Sequence, residues 1–161
     1  MGIARDSGGD QTLLKGAEGS TFELRITGWG PNNPPPPRRG DHWIDCSMRV
    51  NAAIGEWREA GEMLNAFDAE ELHNWLEAVA LRRAHNRRIE FTEPDFSFRI
   101  IEESESTVVL RVYFELRGRP PSAPANSAGQ DDIWIELRLD RRDIGIAAAS
   151  LRSEFASIEG R

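Results

Sequence analysis

Cysteine is nearly absent from this chain: Cys46 is the only one in 161 residues. A lone thiol closes no intramolecular disulfide, so the fold must rest on packing alone, and the composition suits a reducing compartment. Long apolar runs are missing as well. No window approaches the roughly 20 residues of a membrane-spanning helix, and the start, MGIARDSGGDQTLLKG, lacks an apolar stretch of signal-peptide length. The expectation is a cytoplasmic protein with no membrane partner. Histidine is scarce: His42, His73 and His85 have no carboxylate or cysteine at ligand spacing, so neither a metal nor another cofactor is expected. No glycine-rich loop ends in Lys-Ser/Thr and no GxSxG elbow occurs, while Cys46 sits on the apolar side of an alternating segment. Phosphate binding and nucleophilic catalysis have no motif here, and the chain is not expected to be an enzyme. A surplus of cations is missing too: 20 Lys and Arg against 27 Asp and Glu leave a formal charge of −7. Nucleic acid needs a clustered basic surface, so it is not an expected partner, whereas a basic protein is.

What the chain does have is a large stock of core material, 39% apolar residues with five Trp and seven Phe. The length suits one domain over residues 1–161. In TFELRITGW, Phe22, Leu24 and Ile26 alternate with polar residues, the pattern of a half-buried strand. Little else precedes the run GWGPNNPPPPRRGDHWID, and one or two strands bury no core of their own. The prolines therefore mark a stiff excursion within the domain and not a linker. Segments 1–10, 30–41 and 118–131 read as flexible or disordered, and IEGR at 158–161 matches a protease-cleavage tag.

Further strands follow from period-two alternation: Ile44, Cys46, Met48 and Val50, with a returning arm at EWREAGEML; Phe96, Phe98 and Ile100; Val108, Leu110, Val112, Phe114 and Leu116; and Ile133, Ile135, Leu137 and Leu139. Two helices are signalled. In the first, Asp68 is placed as the cap, Glu71 completes a capping box, Phe67 and Leu72 form a staple, and Leu72, Trp75, Leu76 and Val79 make the apolar face. In the second, Asp140 caps, Asp143 takes the acidic third position, and Ile144, Ala147, Ala148, Leu151, Phe155 and Ile158 form the stripe. The fold class is α+β: an antiparallel sheet of six to seven strands with two helices packed on one face.

Two features bear on function. Trp29, Trp43, Trp57, Tyr113 and Trp134 fall on the nominally polar side of their strands, so the sheet either buries both faces or displays aromatic anchors. Glu102-Glu103-Ser104-Glu105 lies at a hairpin turn, read either as a solvated turn or as an electrostatic contact patch.

Taken together, TFELRITGW, DHWID, ELHNWLEAVA, FTEPDFSFRI, VVLRVYFELRGRPP, DDIWIELRL and DIGIAAASLRSEF resemble the WapI family of immunity proteins. The segments span residues 21–155; the Glu93-Pro94-Asp95-x-Ser-Phe stretch and the Leu-Arg-x-Arg-Pro-Pro run carry most of the likeness. At Asp95 the family more usually has Asn, and a turn role is expected. The resemblance implies a cytoplasmic antidote that binds the C-terminal domain of a cognate secreted toxin, often a nuclease, and occludes it; a monomer or weak dimer is expected. It carries over no catalytic residue. The expected contacts are Trp43, Asp45, Trp57 and Glu59, placed on the sheet face away from the helices, with Glu102, Glu103 and Glu105. The alternative is a small-molecule or regulatory binding module using the same aromatics around a closed pocket.

Overall fold

The computed structural model describes residues 12–121 and 133–160. Eight strands pair antiparallel in two sheets of four. The first sheet holds β1 (Thr12–Lys15), β2 (Thr21–Trp29), β3 (Trp43–Ala52) and β4 (Gly55–Asn65) in chain order. The second holds β5 (Arg88–Ile89), β6 (Phe96–Glu103), β7 (Thr107–Phe114) and β8 (Trp134–Asp140), again in chain order. Helix α1 (Ala66–Ala80) separates the sheets and α2 (Arg141–Ile158) follows β8. The α+β class and the antiparallel pairing are as the alternation foretold, with the strands divided between two sheets. The segment 1–10, most of 118–131 and Arg161 lie outside the described residues.

The division follows from the aromatic core. Phe22 of the first sheet meets Phe96 and Phe98 of the second at ring-centroid distances of 5.4 and 5.3 Å, and Trp57 meets Phe114 at 5.1 Å. Residues pointing inward from both sheets thus share one buried cluster with the helices. Along one seam the backbones touch: Ala17 N–H donates to Arg138 O at 3.0 Å, joining the β1–β2 turn to β8. Helix α2 packs on β1, β2 and β8, while α1 packs on α2 and β4. The apolar stripes foreseen for both helices are the residues buried there. Gly145 faces Ala80 across the helix pair, where a Cβ would meet that of Ala80 at 3.5 Å, an ordinary packing contact.

The start of α1 differs from the sequence expectation. Asn65 is the cap: its side chain accepts from Asp68 N–H at 2.8 Å, and Asp68 Oδ2 accepts from Asn65 N–H at 3.1 Å. Strand β4 runs straight into the helix, so the last strand residue is also the cap, and Asp68 becomes the third helical residue of the box. Phe67 consequently lies in the first turn, 59% exposed, instead of stapling the helix to Leu72. Asp140 does occupy the cap position of α2, but its side chain makes no capping hydrogen bond.

One carboxylate on α2 reaches the backbone of the first sheet. The described part of β1 ends at Thr12, opposite Leu24. Two residues on, Ile26 N–H donates to Oε1 of Glu154 from α2 at 2.9 Å, and Arg25 lies 3.6 Å from the other oxygen of this buried side chain.

Candidate functional site

The outward face of β3 and β4 carries part of the candidate set. Side chains alternate along β3, so Ile44, Cys46, Met48 and Val50 enter the core and Trp43 and Asp45 face out, both half-buried. Trp43 is held from the proline loop: its N–H donates to Asn33 Oδ1 at 2.5 Å, and its carbonyl accepts from Asn33 Nδ2 at 2.7 Å and from Gly30 N–H at 2.9 Å. The Asn33 amide thus acts as one residue of an added strand. Asp45 pairs across the strands with Glu62, whose carboxylate accepts from the Asn32 amide at 3.0 Å. The loop is fixed further by Arg38 over the Trp29 ring at 5.5 Å, by Arg39 N–H donating to His42 Nδ1 at 3.1 Å, and by Phe67 lying against Gly40.

Trp57 and Glu59 do not share that face. Trp57 pairs with Val50 and Glu59 with Met48, which places both on the core side of β4. Trp57 is 5% exposed and donates its indole N–H to Gly118 O at 2.9 Å, so it packs the core. Glu59 remains partly exposed at the sheet rim. The placement of all four residues on one face is corrected by this register: alternation restarts after the Ala52–Gly55 turn, and the new phase sets Trp57 inward.

The acidic turn stands elsewhere. Arg141, 6% exposed, donates to Ser104 O, to Glu105 O at 3.0 Å, to Val79 O at 2.6 Å and to Glu103 Oε1 at 2.9 Å. Arg87 takes the other Glu103 oxygen at 2.9 Å. The hydrogen bond from Arg141 leads in holding the Glu103 carboxyl below its usual range, with Arg87 adding to it. Glu102 and Glu105 are exposed. Trp43 lies opposite Asn65 at the start of α1, and the turn is tied to Val79 at its end, roughly 21 Å away along the axis at 1.5 Å per residue. The two halves of the expected contact set therefore occupy opposite ends of the helix.

One junction was not foreseen from the sequence. Asp95, 1% exposed, accepts from Arg117 N–H at 3.3 Å and from its guanidinium at 3.1 Å, and Arg117 also reaches Glu62 O at 2.8 Å. Burial pushes the Asp95 carboxyl up, and Arg117 opposes it. Gly118 is required beside it because a Cβ there would fall 1.8 Å from Asp95 O. Asp95 thus holds Arg117, whose second bond reaches the first sheet, and does more than form a turn. The EPDFSF and LRGRPP segments meet here, and the available signal was an acid in one and an arginine in the other.

Open clefts of about 230 and 410 Å³ lie beside Phe67 and Trp29 and beside Arg138 and Glu18. Neither is the closed pocket a small-molecule module would present. Among the described residues, no three His, Cys, Asp or Glu side chains are grouped to hold a metal, and no helix is long and apolar enough to cross a membrane. A sequence model described as the Immunity protein WapI-like family matches residues 13–159. No curated protein and no solved structure matches.

Proposed function

The chain belongs to the WapI-like immunity protein family, the antidotes of toxins, and on that premise we propose that it binds the C-terminal domain of a cognate secreted toxin in the cytoplasm and neutralises it by occlusion. The family match across residues 13–159 is the observation that carries this reading. The net charge of −7 supports a basic partner such as a nuclease, because opposite charge raises the association rate. The contact face is the outward side of β3 and β4 at Trp43 and Asp45. Trp43 suits an anchor: an aromatic ring on a backbone held at both its N–H and its C=O loses little entropy on binding. Glu102 and Glu105, at the far end of α1, contribute steering, and Glu103 is engaged by two arginines of its own chain. No catalytic step and no cofactor is involved.

The test is co-expression of the adjacent toxin domain with and without this protein. Survival only in its presence, with a co-purifying complex, supports the reading. A toxic domain that is neither rescued nor bound refutes it. Asp45→Lys is expected to weaken binding by about tenfold, since a like charge is then set against a basic partner. Unchanged affinity removes this face.

A further inference from the structure

The outward face of the second sheet sets like charges side by side. Arg88 pairs across strands with Arg99, Arg99 with Arg111, and Arg111 with Glu136, so three arginines stand side by side in one row. Directly opposed side chains lie about 5 Å apart, and like charges at that spacing repel. Two of the three are relieved from within. Arg111 bonds Glu136 at 3.0 Å and stacks over Trp134 at 3.9 Å, while Arg88 lies 3.6 Å from Glu90 and 4.6 Å from the centre of the Tyr113 ring. The middle cation, Arg99, is exposed, flanked by a cation on each side, and no hydrogen bond or ion pair joins its side chain to another described residue. Across β7 from it, Trp134 on β8 carries Arg111 on its ring and remains 40% exposed, and Arg138 is exposed on the same face of β8. An arginine held against its own neighbours on a face that also exposes an indole is a poor arrangement for a free surface. It is a good one for an interface, where Arg, Trp and Tyr supply most of the energy.

We propose that this face is a second docking surface, one that receives a polypeptide segment carrying two or three carboxylates, with Arg99 as its central charge contact and Trp134 as the apolar wall. The geometry is complementary: a carboxylate over Arg99 relieves repulsion on both flanks at once, whereas on a lone surface arginine it gains only one screened pair. A phosphate polymer is the less suitable occupant, because the surrounding −7 chain repels a long polyanion and a short acidic segment meets only the local field.

The experiment titrates isotope-labelled protein with hexaglutamate, hexalysine and hexathymidylate and follows amide and indole signals by NMR. Hexaglutamate is expected to shift Arg99, Arg111, Trp134 and Arg138 saturably, more weakly as salt is raised, with hexalysine silent there. Arg99→Glu should weaken that binding by about tenfold, and Arg99→Gln should raise the melting temperature of the free protein because it removes the repulsion. Absence of saturable shifts on this face, affinity indifferent to Arg99→Glu, or no rise in melting temperature with Arg99→Gln overturns the proposal. Tighter binding of hexathymidylate than of hexaglutamate overturns it in favour of phosphate. None of these outcomes depends on the toxin, so co-expression rescue remains an independent test.

Discussion

Replacing Arg141 by Met separates structural from functional charge at the acidic turn. The guanidinium binds four acceptors, Val79 O, Ser104 O, Glu105 O and Glu103 Oε1. Methionine fills much of the same volume and removes every donor. The Val79 bond is buried, but that carbonyl keeps a backbone donor in Arg82 N–H at 3.2 Å; Ser104 O is only part-buried. Glu103 is 36% exposed, so its ion pair is screened and adds little. A charge-assisted bond contributes roughly 1.5–3 kcal/mol, and with partial compensation the net loss is about 2–3 kcal/mol. At a urea slope of about 2 kcal/mol per molar, the unfolding midpoint should fall by about 1–1.5 M without a change of slope. Glu103→Gln, which leaves the carbonyl contacts in place, should cost under about 1 kcal/mol and leave toxin protection intact. A midpoint for Arg141→Met within about 0.3 M of the parent would refute the anchoring argument, and loss of protection in Glu103→Gln without loss of stability would return that carboxylate to the contact surface.

Two of the perturbed carboxyls, Glu103 and Asp95, have opposite pH signatures. Glu103 is held below its ordinary 4.5, so its contribution is present above that value and is lost as the pH falls through the lower folded pKa; a pH series of urea midpoints on the parent and Glu103→Gln reads this directly. Asp95 is pushed above 3.8, so its contribution is full below that value and declines as the pH rises through the folded pKa, and Asp95→Asn should abolish the decline. Gly118→Ala drives a methyl group into Asp95 O and should lower the melting temperature by 10 °C or more, on the order of several kcal/mol. The Cys46 thiol, buried and pushed up to about 12, should resist a thiol reagent at neutral pH until the chain is unfolded.

Most of the fold could be read from side-chain periodicity. Phe22, Leu24 and Ile26 on β2 and the stripe from Ile144 to Ile158 on α2 enter the core where their spacing places them. Periodicity was silent on the division into two sheets, because a strand's own pattern states which side chains are apolar and not which second apolar surface they meet. It was misleading at α1, where Asp68 and Glu71 imitate a cap three residues beyond the true one, Asn65. The contact face was half legible. Trp43 and Asp45 face outward as alternation requires, whereas Trp57 turns inward because the hairpin resets the phase. The Asp95–Arg117 tie and the row through Arg99 depend on pairings between distant segments, which only the register of β5 to β8 brings together.

The Glu154 carboxylate over Ile26 bears on how copies of this protein behave when crowded. A sheet margin with an unused N–H invites a strand from a neighbouring molecule, and the growth of such contacts leads to insoluble assemblies. Here the inviting group is already taken by an acid on a helix that packs across β1 and β2, so an incoming strand would have to displace a charge and unseat α2 before making its first bond. A single side chain on α2 thereby guards this stretch of β2 against its own kind.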